Sequence, residues 1–465
     1  MPLNEGQTVQ YTVTTTNTAD GTVLYWRTTG NTTNSDIVGG NTGSITITNN
    51  RATFNVTVFS DESLDGTKTL GISISTGSIN GPTVVSTTNP ITVDDTSNSP
   101  AVYLYAWGSN SDFPSHGQLG LNDRVSRSSP VQVGSDATWS KISANQWNSM
   151  GLKSNGTLWT WGYNGYGELG QNDIVNRSSP VQVGSGTDWS EICQGKRYSM
   201  AIKTNGTLWL WGNGAYGVSG NNNAITSSSP TQVGTSTNWS KLSEQHCSIF
   251  WHAIKTDGTL WACGREIFGT LGNGAVTFSN LDKSSPVQIG SSTNWNKVFG
   301  TDIGFHASAI KTDGTLWVWG TNRASVGLNG AGGNYILSPT QVGALTTWSK
   351  VANGYLHSIM VRTDGRIFST GADGVGQLGL NDTSGYKSSP TQIGSDTTWS
   401  DVGAHIGQSS AIKTDGTLWL WGINEYGSLG QNDRVNRSSP VQVGTATNWL
   451  KVVSGPAHIL AFKSS

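Results

Sequence analysis

Seven histidines, three cysteines and 29 aspartates and glutamates are the stock from which this 465-residue chain would have to build proton transfer, nucleophilic attack or metal binding. The histidines are His116, His246, His252, His306, His357, His405 and His458, and they assemble into no Ser/His/Asp or paired-carboxylate pattern. Cys193, Cys247 and Cys263 form an odd, sparse set with no Cys-x-x-Cys and no metal-ligand spacing, which argues against a disulfide framework. The string Gly162-Tyr-Asn-Gly165-Tyr-Gly167 precedes no helix and sits in a recurring loop, so its glycines read as turn glycines and not as a dinucleotide fingerprint. The residues therefore predict a chain that is not an enzyme.

What remains is the chemistry of contact, and the elements that would display it come from a repeat. A tryptophan follows a proline by nine positions seven times, from Pro130/Trp139 to Pro440/Trp449, and the prolines are 50 to 56 residues apart. A period of that length must be read before any local pattern. Within one period, Trp189-Ser-Glu-Ile-Cys193, Ser199-Met-Ala-Ile-Lys203, Thr207-Leu-Trp-Leu-Trp-Gly212 and Pro230-Thr-Gln-Val233 are four short apolar-alternating runs. Asn205-Gly206 falls between the second and third, and such a pair marks a hairpin; it recurs five more times as Asn-Gly or Asp-Gly. Four strands repeated seven times predict a seven-bladed β-propeller over residues 98–465. The missing seventh hairpin is split between the termini, so residues 101–133 are expected to pair with 449–464 and close the ring.

The repeats differ where a ligand would be held. Five of them place Lys or Arg 14 residues after the marker tryptophan, and two neighbouring ones place it 16 after. The longer turns bring Phe250, Trp251 and His252 in one repeat and Phe299, Phe305 and His306 in the next; a longer loop in the first adds Phe268 and Phe278. Extra aromatic residues on loops of a rigid frame suggest a binding patch, against the competing reading of drift with local packing. The marker tryptophans themselves read as core and ring packing, Cys263 as a core substitute for a blade tryptophan, and the repeated lysines before Asn/Asp-Gly as solvated turn neighbours.

Trp161-Gly162-Tyr-Asn164-Gly-Tyr-Gly167-Glu-Leu169-Gly170 with Ser179-Pro180-Val-Gln-Val183, and Gly354-Tyr-Leu-His357-Ser358, resemble the repeat of the regulator of chromosome condensation family. The resemblance implies a seven-bladed propeller over about four-fifths of the chain. It also brings in a founding member, a guanine nucleotide exchange factor on chromatin that acts through an inserted wedge and an added tail for DNA, and a member that inhibits β-lactamase purely as a binding surface. Here the blade glycine lies 18 residues before the proline in three repeats and at most 22 in any, so no wedge is inserted and exchange is a remote alternative.

Residues 1–97 lack the repeat and hold six or seven short alternating runs, such as Val9-Gln-Tyr11-Thr-Val13 and Ala52-Thr-Phe54-Asn-Val56, which predict a β-sandwich. Asn4-Glu5-Gly6, Tyr25-Trp-Arg-Thr-Thr-Gly30 and Asp61-Glu-Ser-Leu-Asp65-Gly66 resemble a Calx-β domain. That resemblance implies a calcium site formed by Glu5, Asp61, Asp94 and Asp95, an oxygen-only set suited to Ca²⁺; the alternative is four acids solvating loop ends. Only Met1-Pro-Leu precedes the Glu-Gly motif, which leaves the usual first strand absent or supplied by a partner.

The 27 Lys and Arg against 29 Asp and Glu, a net charge of −2, leave no basic patch for nucleic acid. No apolar run is long enough to span a membrane, and the N-terminus has no basic-then-apolar secretory pattern. A composition of extracellular style without a visible export signal is reconciled by a virion protein of a tailed phage, a tail fibre or capsid decoration, or by a trimmed chain. The expected partners are other virion proteins through the N-terminal domain and a host surface receptor or glycan through the propeller. The alternative is a bacterial secreted or surface adhesin.

Overall fold

The computed structural model of the chain describes residues 101–465 apart from 111–115, 245, 276–281, 302–304, 323–326, 329–334 and 384, and within residues 1–100 the strands given below with 19–22 and 47–50. Contacts divide the chain into two units, Met1–Ala101 and Val102–Ser465. The boundary lies a few residues beyond the one at 97 expected from the sequence.

In the first unit, Leu3–Asn4, Ile91–Asp94, Lys68–Thr76, Val23–Gly30 and Thr42–Thr46 are neighbours in that order in one sheet, and Thr83–Ser86 also pairs with Lys68–Thr76. Thr8–Thr14 and Arg51–Thr57 form a second, two-stranded sheet. Period-two alternation puts Leu24, Ile72 and Ile74 on one face of the larger sheet. Trp26 of that sheet stacks on Phe54 of the smaller one at 4.8 Å, and Phe54 on Tyr11 at 5.4 Å. The residues ahead of Glu5 do form a strand: Leu3 pairs in parallel with Val93, so the expected gap is filled by a two-residue strand of the chain itself.

Among the described residues, the second unit forms seven four-stranded antiparallel sheets. Trp139–Ala144, Asn148–Lys153, Leu158–Gly162 and Arg177–Gln182 make one of them. One sheet draws on both ends of the unit: Val102–Gly108 lies between Arg127–Gln132 and His458–Ser464, with Tyr103 opposite Lys463. The first strands touch their successors in turn, and Trp449–Ser454 touches Trp139–Ala144.

The Asn/Asp-Gly turn explains how one sheet hands over to the next. Only the glycine takes the left-handed region, Gly156 at φ +76°, while the Asn155 side chain accepts from the Thr157 amide at 3.1 Å. Lys153 N–H donates to the Thr157 carbonyl, so the turn has three residues rather than two. A Cβ on Gly156 would lie 2.1 Å from the Thr187 carbonyl oxygen of the following repeat. The repeated lysine is not a solvated neighbour of this turn. Lys153 Nζ sits 3.7 Å from the Trp159 ring centroid and 5.1 Å from that of Trp139; Lys203, Lys255, Lys311 and Lys413 are layered between indoles in the same way.

A second indole set joins the sheets. Trp161 Nε1–H donates to the Gln118 carbonyl of the preceding sheet at 2.9 Å, Trp211 to Glu168 at 2.9 Å, Trp319 to Thr270 at 3.1 Å, Trp421 to Gln377 at 2.9 Å and Trp107 to Ser428 at 2.8 Å. All five side chains are fully buried. In the 239–288 sheet the third strand has Cys263 at this position, which is core as the sequence implied. The indole there comes from the paired residue on the second strand, Trp251, and donates to the Val218 carbonyl at 2.9 Å. Bulk and hydrogen bond are thus kept while the strand that supplies them changes.

This exchange predicts strong coupling. Cys263→Trp alone should overpack the layer at a cost of about 1–3 kcal/mol. Trp251→Ser alone should leave a cavity and an unpaired carbonyl, costing about 3–5 kcal/mol. The double variant recreates the arrangement of Trp211 over Ser199 and is expected to recover more than 1 kcal/mol of the summed loss. Urea unfolding of the four proteins checks it, and simple additivity would refute the exchange.

Candidate binding surface

Two kinds of segment meet at one surface of the second unit: the turns between first and second strands, and the loops that leave third strands. They bring together residues far apart in sequence. The His116 ring is 4.5 Å from that of Tyr163 and 6.0 Å from that of Trp147, and Tyr163 is 6.3 Å from Tyr166. The Arg197 guanidinium lies over Tyr166 at 4.9 Å and Trp147 at 5.6 Å. Arg265 lies over Tyr216 at 4.4 Å. Phe268 stacks on Tyr335 at 4.7 Å and meets Phe305 edge-on at 5.4 Å. Between these groups opens a cleft of about 240 Å³, lined by Lys196, Arg197, Tyr198, Tyr216, Arg265 and Phe305 among others.

The backbone marks the same place. Ten non-glycine residues among those described have positive φ, and seven are asparagines, the residue that tolerates this region best. The other three are Arg197 at +69°, Tyr216 at +60° and Phe268 at +62°, all on this surface. Such conformations cost on the order of 1–3 kcal/mol each and cluster where function requires them. Gly407 holds φ +62° in a corresponding turn of another sheet. The Arg197 Nε–H, shielded from solvent, meets no acceptor among the described residues.

Beneath Tyr166 lies Glu168, fully buried. Its Oε2 accepts from the Tyr166 amide at 2.7 Å, and Oε1 meets no donor among the described residues. Burial pushes the Glu168 carboxyl up to about 7, against the pull of the Tyr166 amide and of Arg197. Near neutrality the surface therefore presents the positive charge of Lys196, Arg197 and Arg265 beside a buried carboxyl that has taken up a proton in about half of the molecules.

The aromatic residues singled out from the longer turns divide in two. Phe305 and Phe268 are half-buried and belong to the surface. Phe250, Trp251, His252, Phe299 and His306 do not, because all five are buried. Sheets that stack face to face cover both sides of a second strand, so both alternating sets along Phe250–Lys255 go inside. His252 Nε2 faces the Leu271 carbonyl at 3.3 Å, and His306 Nε2 faces Ser358 Oγ at 3.4 Å; burial pulls both imidazoles down to about 4. The extra residues of the first turn go inward too. His246 reaches the Ala144 carbonyl through Nδ1 at 2.6 Å and packs 5.0 Å from the His405 ring. Phe278, Glu5, Asp61 and Asp95, and the side chain of Asp94, lie outside the described residues.

Trp147, Tyr163, Tyr166, Arg197, Tyr216, Arg265 and Tyr335 were not singled out from the sequence. The available signal was a column in the repeats of equal length: the turn slot that holds Gly407 in one holds Arg197 in another.

Matches to known proteins fall on the same repeats. The regulator of chromosome condensation (RCC1) repeat model matches residues 155–202 and 415–462, and a second model of that repeat matches 139–168. Those stretches are similar to RCC1 repeats. Yeast Prp20 in complex with Kap60 superposes with a TM-score of 0.69 at 18% identity, over 79% of this chain and 89% of Prp20. Human WBSCR16 superposes with a TM-score of 0.68 at 18% identity, over 78% and 99%. The ultraviolet-B receptor UVR8 of Arabidopsis thaliana is 26% identical over 222 residues, 47% of this chain and 49% of the receptor. Protein RCC2 of Mus musculus is 34% identical over 132 residues, 27% of this chain and 25% of that protein. The chain spans half or less of the length of these curated relatives. The repeats thus form an RCC1-type β-propeller, and the structural likeness speaks for the fold alone. No helix among the described residues is long and apolar enough to cross a membrane.

Glu168 supplies a test of the surface's electrostatics. Its folded pKa lies above its unfolded value, so the folded state holds the proton more tightly. Its contribution to stability is lost as pH rises from about 4.5 through about 7. Glu168→Gln keeps an acceptor for the Tyr166 amide and removes the buried charge. It is expected to raise the thermal midpoint at pH 8 and to leave it nearly unchanged at pH 4; equal shifts at both pH values would contradict the assignment.

Proposed function

We propose that the chain is a non-enzymatic protein-binding module that grips an acidic, aromatic- or apolar-bearing segment of a partner across the cleft between Arg197 and Arg265. The observation that carries the reading is Arg197 itself. Its backbone is held in the left-handed region, its guanidinium is braced on Trp147 and Tyr166, and its Nε–H is left without an acceptor among the described residues. The half-buried guanidinium lines the cleft and can take a carboxylate in charge-assisted hydrogen bonds, and the ring faces beside it favour apolar or aromatic neighbours. Prp20p is described for its binding to Gsp1p and histones, an example of this scaffold working as a protein-binding surface; at 18% identity those partners are not carried over.

In this reading Met1–Ala101 is a Calx-β-like β-sandwich and Val102–Ser465 a seven-bladed propeller. The setting we propose is the virion of a tailed phage, with the propeller as a surface appendage. It is supported by the Thr- and Asn-rich composition and by near-identical repeats such as 172–184 and 432–444, which point to recent duplication. Mass spectrometry of density-purified particles beside the cell fraction would separate this setting from a bacterial surface adhesin.

The binding surface is tested by selecting peptides from a displayed library on the immobilised chain. The expected winners are rich in Asp and Glu and bind more weakly as salt rises. Arg197→Gly relieves the strained backbone, so it should hold or raise the thermal midpoint while weakening peptide binding at least tenfold, and Arg265→Ala should weaken it as well. Winners without acidic residues, or affinity indifferent to both changes, would sink the reading.

A further inference from the structure

Three cysteines scattered over 71 sequence positions, at 193, 247 and 263, gave no hint of pairing. The fold brings two of them together. Cys193 lies on Trp189–Gly195, the first strand of its sheet. Cys247 lies in the longer turn of the next sheet, and its Sγ is 2.8 Å from that of Cys193. The backbones hold them there: Cys247 N–H donates to the Gln194 carbonyl at 2.9 Å, and His246 bridges to Gln194 in parallel. Both side chains are buried, in a cluster with Tyr198, Met200 and Trp251. Cys263 is in the same cluster but is turned elsewhere, its Sγ donating to the Lys283 carbonyl at 3.0 Å and directed at Gly217 O at 3.4 Å.

We propose that Cys193 and Cys247 are a disulfide-forming pair, oxidised by a low-molecular-weight disulfide of the glutathione class, and that Cys263 stays a thiol. One protein thiolate attacks the small disulfide, whose S–S bond breaks and releases one small thiolate. The second protein thiolate then attacks the protein sulfur of that mixed disulfide, forming the Cys193–Cys247 bond and releasing the second small thiolate. The two protons from the protein thiols end on the two released thiols, and the oxidant takes up the two electrons. Because both sulfurs are buried, the exchange proceeds as the sheets assemble or when the turn opens, and the finished bond is shielded from reductants.

The bond has a mechanical consequence. It ties the first strand of one sheet to the turn that sends His246 across to Ala144 and His405. Next to it, Lys196 N–H donates to the Ser248 carbonyl at 3.1 Å, and both residues line the cleft. Oxidation therefore locks the inward turn and one wall of the cleft in a single step. This inference stands on the sulfur geometry and is independent of what the cleft binds.

The test is to refold the full chain in a reduced/oxidised glutathione buffer, block thiols with iodoacetamide in denaturant, and measure intact and peptide masses. The expected result is one alkylated cysteine, Cys263, and a non-reduced peptide pair joining Cys193 to Cys247. The oxidised chain should melt several degrees above its reduced form, and Cys247→Ser should abolish that difference. Cys263→Ser should leave the bond intact, which keeps the test decisive should Cys247→Ser fold poorly. Three alkylated cysteines after oxidative refolding, or cross-links made mainly through Cys263, would overturn the proposal.

Discussion

A buried indole N–H that reaches back to a carbonyl of the preceding sheet is the contact on which the repeat architecture depends. A tryptophan supplies a large apolar body and one donor, and burying that donor unpaired is costly. In six sheets among the described residues the donor is satisfied outside its own sheet, so none of those six completes its hydrogen bonding alone. The same logic governs the Asn/Asp-Gly turn, where the glycine lies against a carbonyl of the next repeat. Each sheet is therefore specified by its neighbours on both sides, and the terminal strands share one sheet because neither end alone can complete it.

That dependence explains why the longer turn that carries His246 contributes to the interior. A strand stacked between two sheets has no exposed side, so aromatic residues such as Phe250 and Trp251 become packing. Added length at the first-strand turn is taken up where room remains, between and inside the first strands, and His246 occupies it. The surface variation lies instead at turn tips and at the loops leaving third strands, where changing a side chain leaves the indole-to-carbonyl contacts undisturbed.

The cleft combines a rigid frame with locally unfavourable conformations. Arg197, Tyr216 and Phe268 occupy left-handed backbone positions that glycine or asparagine fills elsewhere in the chain. Among the described residues their neighbours hold them by cation–π and stacking contacts and not by ion pairs.

The sequence by itself determined the strand pattern, the repeat and the pairing of its two ends, because Trp, Pro and Asn/Asp-Gly act locally and recur at a fixed spacing. It also marked Cys263 as core, since the slot is defined by the tryptophans of the other repeats. It could not tell that Trp251 takes over for Cys263, because that exchange runs across a strand pair and not along a column of the repeat. Nor could it show that the repeated lysines lie between indoles, that Cys193 meets Cys247, or that Arg197 and Arg265 flank one cleft. Those contacts join different strands, turns or sheets, and only the stacking of the sheets sets which residues of each come within reach.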